Sequence, residues 1–164
     1  YQGRGIEVIL HLAKKFPNIN FELYGKSNNN LNIDSKNVKI FDHVDYCNVP
    51  SILQDADLLL MPYSKKVSVR SKTLNTANYC SPLKMFDYLA AGRVILSSKL
   101  GGICEVLKHK KNAIIVENFD LESWEQEIKN LLKNNYDIIN IQKNAFETAN
   151  KFTWIKRASK ITKI

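Results

Sequence analysis

The stretch Tyr79–Ser98, YCSPLKMFDYLAAGRVILSS, starts a helix with a charged cluster and runs it straight into an apolar strand. Ser81 is a good N-cap residue and Pro82 suits the first helical position. The N–H groups of that first turn, from Leu83 onward, and the positive end of the helix dipole then point outward together, which favours an anion such as phosphate. Lys84 adds a full positive charge in the same turn, and Asp87 falls one turn further along, near the same face. Ala90-Ala91-Gly92 closes the helix with small residues and a C-terminal signal, and Val94 to Leu96 is a short strand of buried type.

Spacing alone leaves two readings open: an anion site, or a plain helix cap with a solvated lysine and an ordinary surface acid. The strand that follows directly weighs toward the first. Helix and strand in immediate succession belong to a parallel α/β sheet, whose ligands sit at the carboxyl ends of strands beside helix N-termini.

The rest of the chain continues the alternation. Ile6, Ile9, Leu10, Ala13 and Phe16 recur at helical spacing after Gly5 until Pro17 stops them, and Ile19–Tyr24 alternates as a strand that ends at Gly25. A polar loop rich in Asn runs through Asp34, Val38–Phe41 is a second short strand, and Val49–Gln54 fits a short helix with Pro50 in its first turn. Asp57 to Pro62 reads as a buried strand ended by proline. Residues Ser64–Tyr79 lack apolar periodicity and predict a long loop, sited as a lid between a strand end and the helix mouth. Gly101-Gly102 starts a short helix through Leu107, and Ala113–Val116 is the last strand. Helices then follow over Leu121–Leu132, Tyr136–Lys151 and Thr153–Ile164.

These elements assemble into an α/β domain, a Rossmann-like parallel sheet of five strands with helices on both faces. Right-handed crossovers bring the loops after the strands to one edge. Gly25, Tyr63, Ser81 and Gly101 lie in those loops, and Arg4 precedes the first helix.

The segment SPLKMFDYLAAGRVILSSKLGGICEVL resembles the donor-binding core of family 4 glycosyltransferases, in which an S-P-L-K-x-F-[ED]-Y-x-A-x-G signature is frequent. GRGIEVILHLAKKFPNINFELYGK, NVKIFDHVDYCNVPSILQDADLLLMPY and FTWIKRASKI are similar to flanking parts of the same lobe, so the resemblance covers nearly the whole chain. It implies the C-terminal half of the two-lobed GT-B fold, with residues 1–164 as the nucleotide-sugar domain and with the first strand and the N-terminal acceptor domain outside the chain. By the same resemblance Arg4, Ser81, Leu83 and Lys84 bind the donor diphosphate, and Asp87, the second acid of an E-x7-E pattern, takes the ribose hydroxyls. The first acid of that pattern falls on Tyr79, which is no carboxylate, so no catalytic residue is assigned. Gly25, Tyr63, Tyr79, Gly101 and Gly102 line the donor pocket on this reading. Tyr63 as core packing and Gly101-Gly102 as a tight turn remain open beside it.

The resemblance further implies a retaining transfer from a nucleoside diphosphate sugar to a glycan or lipid-linked acceptor in surface polysaccharide synthesis. It needs neither metal nor other cofactor, and this chain alone would bind a donor and turn over little. A sugar-nucleotide epimerase or phosphorylase of the same fold is an alternative. A nucleotide-binding module without transferase activity is another, suggested by Tyr79.

Length and composition agree with these bounds. A chain of 164 residues with 45% hydrophobic side chains suits one domain with a real core. It has no run of about 18 apolar residues and no secretory start, which predicts a soluble, cytoplasmic protein. It opens on Tyr1 in a turn that should follow a strand, as a piece of a longer protein would. The net charge of +8 comes mostly from Lys and favours anionic partners. Lys108-His109-Lys110-Lys111 and the tail of Lys156, Arg157, Lys160 and Lys163 are either solvated faces or a weak attraction to the inner face of an anionic membrane. Aromatics interleaved with Arg, as single-strand binders use, are lacking, so nucleic acid is not an expected partner. Cys47, Cys80 and Cys104 form no C-x-x-C pair, and His11, His43 and His109 have no ligand spacing, which argues against disulfides and a metal site.

Overall fold

The computed structural model describes residues 5–25, 35–65, 82–117 and 119–162. Helix α1 (Ile6–Lys15) buries Val8, Ile9, Leu12 and Ala13 along one face and stops before Pro17. Strand β1 (Phe21–Tyr24) starts two residues later than the apolar alternation suggests, because the Ile19 N–H turns back to the Phe16 carbonyl at 3.0 Å. It pairs in parallel with β2 (Val38–Phe41), Phe21 facing Val38. Asn37 locks this corner: its Nδ2 donates to the carbonyls of Ala13, Phe16 and Ile19 at 2.8–3.1 Å, closing the end of α1 that the helix leaves unbonded.

A short 3-10 turn, Tyr46–Asn48, leads into α2 (Val49–Asp55) and then β3 (Leu58–Met61). Helix α3 (Leu83–Ala91) ends on Gly92 at φ +64, the left-handed cap that glycine adopts without cost. Strand β4 (Val94–Ser98) follows at once, then α4 (Gly101–Cys104), shorter than the expected run to Leu107, and β5 (Ile114–Val116). Helices α5 (Leu121–Leu132) and α6 (Ile138–Ala149) are capped by Asp120 and Asp137, whose carboxylates accept from Ser123 N and Asn140 N. Helix α7 (Trp154–Ile161) is capped by the Thr153 hydroxyl and leaves Trp154, Ile155 and Ile161 exposed.

All strand pairs are parallel, as expected, but they form two ladders, β1-β2 and β3-β4-β5. Among the described residues no ladder joins β1 to β3. In a doubly wound sheet the place between those two strands belongs to the first strand, where the order reverses. One apolar cluster nonetheless spans both ladders: Phe21 of β1, Val94 and Leu96 of β4, and Ile114 and Val116 of β5 pack with α1 and with Trp124 and Ile128 of α5. The alternate residues Met61, Ile95 and Ile115 face a second cluster built with Met85, Leu89 and Ile103. Helices therefore cover both faces, and the ends of all strands point to one edge.

Two features of this frame are testable. Gly5 sits at φ +78, and a Cβ there would lie 1.8 Å from the Pro62 carbonyl oxygen. Gly5→Ala is expected to cost about 2–4 kcal/mol from left-handed strain and the backbone clash, read as a lower midpoint in chemical denaturation. Glu125 on α5 receives His11 at 2.7 Å and Lys15 at 3.5 Å from α1, and Lys129 at 3.4 Å from its own helix. The hydrogen bond with His11, then the two lysines, hold its carboxyl below the usual carboxylate range. A depressed carboxylate stabilises the fold above its unfolded pKa of about 4.3 and loses that contribution as pH falls through the folded value. Thermal melts should thus show Glu125→Gln less stable than the parent at pH 7, with the gap closing below about pH 4.

Candidate functional site

The carboxyl edge of the sheet gathers α3, the loops after β2 and β3, and the ends of β4 and β5. Helix α3 begins at Leu83, with Pro82 in the cap position at φ −69 and ψ 128. That corrects the expected Pro82 at the first helical position, since an extended ψ places its peptide outside the helix. Proline has no side-chain acceptor, so Pro82 gives the helix no side-chain cap; its carbonyl instead accepts from Met85 N at 2.9 Å. The first N–H groups, those of Leu83 and Lys84, precede that bond, and Leu83 is 72% exposed at the helix start. Arg4, Tyr79 and Ser81 lie outside the described residues, as does most of the expected lid.

Lys84 is held by aromatic faces. Its Nζ stands 4.6 Å from the centre of the Tyr63 ring and 5.9 Å from that of Tyr88. Tyr63 is 6% exposed, packs in the core and supports Lys84 from the interior. Its carbonyl accepts from the buried Ser98 hydroxyl at 2.6 Å, which ties the end of β4 to the segment after β3. Burial, and then Tyr63 and Asp87, push the Tyr88 hydroxyl up to about 12, so it stays protonated. Asp87, half-buried, accepts at Oδ1 from the Tyr46 hydroxyl at 2.8 Å.

The glycines divide. Gly25 closes β1 at φ +136, its N–H donates to the Phe41 carbonyl at 3.1 Å, and among the described residues nothing lies within 4 Å of where a Cβ would project. Gly101 and Gly102 open α4 instead of forming an isolated tight turn. Gly101 borders a cleft of about 310 Å³ with Lys65, Lys99, Leu100 and Phe119, where Lys99 pairs with Glu117 at 2.5 Å and Lys65 lies over the Phe119 ring at 5.2 Å. Sequence reading missed Tyr46, Lys65, Lys99 and Phe119. Each comes within a few residues of a strand's carboxyl end, and that placement is the signal that could have found them.

Two of the three histidines are structural: His11 pairs with Glu125, and the His109 Nδ1 accepts from Ile115 N at 3.0 Å. Among the described residues no three His, Cys, Asp or Glu side chains gather as metal ligands would, and no helix is long and apolar enough to cross a membrane. A helix N-terminus beside a cation and a carboxylate suits an anion joined to a hydroxyl-bearing group.

The sequence model of the glycosyl transferases group 1 matches residues 5–134. The chain belongs to the group 1 glycosyltransferases. No curated protein matches this glycosyltransferase chain by sequence. Among solved structures it is similar to Anabaena Alr3699/HepE in complex with UDP-glucose, at TM-score 0.75 and 15% identity, over 100% of this chain and 46% of that one. It is likewise similar to sucrose-phosphate synthase from Thermosynechococcus elongatus, at TM-score 0.77 and 16% identity, over 98% and 41% of the two chains. The C-terminal domain of the group 1 family protein LpcC from Francisella tularensis aligns at TM-score 0.68 and 15% identity, over 92% of this chain and 80% of that one. At such identities the likeness shows the fold, one lobe of the GT-B architecture, and the chain spans less than half the length of the HepE and synthase chains.

Within this lobe the support beneath Lys84 is testable. Ser98→Ala leaves the Tyr63 carbonyl without its buried partner and should lower stability by about 1–2 kcal/mol in urea denaturation.

Proposed function

We propose that this chain is the donor-binding half of a retaining glycosyltransferase that moves a sugar from a nucleoside diphosphate sugar to a glycan or lipid-linked acceptor. The observation that carries the reading is the mouth of α3. In a chain of this family, the first N–H groups of α3, Lys84 on its tyrosine supports and the Asp87 carboxylate share one helix end at the carboxyl edge. Negative charge grows on the departing diphosphate as the glycosidic bond breaks, and preorganised N–H donors and cations stabilise it there. Leu83, Lys84, Ser81 and Arg4 take the diphosphate, Asp87 takes the ribose hydroxyls, and Gly25 and the start of α4 at Gly101 and Gly102 border the donor. No metal is required. UDP is the first nucleotide to try, because HepE was solved with UDP-glucose.

The same reading draws the acceptor from a second lobe of the polypeptide, working in surface polysaccharide synthesis in the cytoplasm. It also places one more parallel strand between β1 and β3, supported by the unjoined ladders and by Gly5 packed against Pro62. The exposed Trp154 and Ile155 beside Lys156 and Arg157 favour peripheral contact with an anionic membrane. Tyr79, standing where the family pattern has an acid, favours a second reading, donor binding without turnover.

Calorimetry of the full-length protein with UDP, GDP, ADP and CMP tests the proposal. One nucleoside diphosphate should bind selectively, and Lys84→Ala and Asp87→Ala should each weaken it about 10–100-fold, the loss of one charge-assisted contact. Equal affinity in both variants would overturn the assignment. Sugar transfer to an acceptor separates the enzyme from the module that only binds.

A further inference from the structure

We propose that Tyr46 is a positioning residue that orients the Asp87 carboxylate for the donor's ribose hydroxyls, an inference that rests on the ribose reading of Asp87. Tyr46 opens the 3-10 turn after β2, at the same sheet edge as the start of α3, and its hydroxyl crosses to Asp87 on a different element at 2.8 Å. An aspartate on an open helix face samples several rotamers, whereas tyrosine has two side-chain torsions and a rigid ring. The backbone that carries this ring is itself fixed. Asn48 N donates to the Asp45 carbonyl at 2.9 Å, and the Ser51 hydroxyl donates to the Asn48 carbonyl at 2.9 Å, so the turn is closed from both sides. Helix α2, which continues the turn, packs on α3.

The stoichiometry suits a diol. A carboxylate offers about four lone-pair positions, and Tyr46 uses one of them on Oδ1. Oδ2 is left to one ribose hydroxyl and the second Oδ1 position to its neighbour. The bond to Asp87 also raises the Tyr46 pKa, which keeps the phenol a donor. At 72% exposure the ring does not contribute to the core, so its hydrogen bond is not a by-product of packing.

The test compares the full-length protein with its Tyr46→Phe, Asp87→Ala and double variants in calorimetry with UDP, GDP and ADP and with their 2′,3′-dideoxy counterparts. Tyr46→Phe keeps the ring and removes only the hydroxyl. It should weaken the preferred diphosphate about 5–10-fold, the scale of one ordinary solvent-exposed hydrogen bond, while the dideoxy analogue binds as in the parent. The double variant should bind no more weakly than Asp87→Ala alone, as expected for two groups acting as one unit. Unchanged or tighter binding by Tyr46→Phe, with Asp87→Ala still impaired, overturns the positioning role and leaves the ribose reading standing. Equal weakening of the dideoxy analogue by Tyr46→Phe also overturns it, since that is a general structural effect. Full affinity in Asp87→Ala, or no binding of any nucleotide by the parent, overturns both.

Discussion

Because all five residues of β4 are buried, the sheet has to be covered on both sides, and most of the remaining architecture is a response to that requirement. Val94 and Leu96 face the cluster closed by α1 and α5, while Ile95 faces the one closed by α3 and α4. Parallel pairing with β3 and β5 then sends every crossover the same way round, so the segments that leave the strands emerge together. The carboxyl edge is where the segments that leave the strands gather. Even the end of β4 serves it: Ser98, buried and polar, holds Tyr63, and Tyr63 holds Lys84.

The two charged residues of the α3 mouth are each supported from a different direction. Lys84 rests on rings that belong to the interior and so inherits the rigidity of the core. Asp87 is reached from outside, by a residue whose own ring is largely in water. The cation is thus backed by the core and the acid by a hydrogen bond from the rim.

Much of this was legible in the chain. The 3.6-residue spacing in Ile6–Lys15 and Leu121–Leu132 fixed helices whose ends agree with expectation within a residue. Strand β4 was recognised by its apolar run but extends to Ser98, because two serines look polar in sequence and are buried by satisfying each other's neighbourhood: Ser97 reaches the Ser98 carbonyl and Ser98 the Tyr63 carbonyl. The division into two ladders was not legible, since pairing between distant strands depends on what lies between them and leaves no local periodicity. At the site, residue type and helix position singled out Lys84 and Asp87. Tyr46 escaped because its role depends on a contact 41 residues away in sequence. Pro82 was misplaced by one position for a smaller reason: proline fits both sides of a helix start, and only ψ tells them apart.

Asn37 carries a consequence for the lifetime of the molecule. Its single amide nitrogen, with two hydrogens, faces the carbonyls of Ala13, Phe16 and Ile19 and so joins the end of α1 to the start of β2. Hydrolysis of that amide to a carboxylate, with water taken up and ammonia released, leaves the outline of the side chain almost unchanged. It replaces the donor with a negative oxygen pointed at three carbonyl oxygens. A slow, nearly shape-neutral reaction at one atom would therefore unfasten the corner where the first helix meets the first ladder.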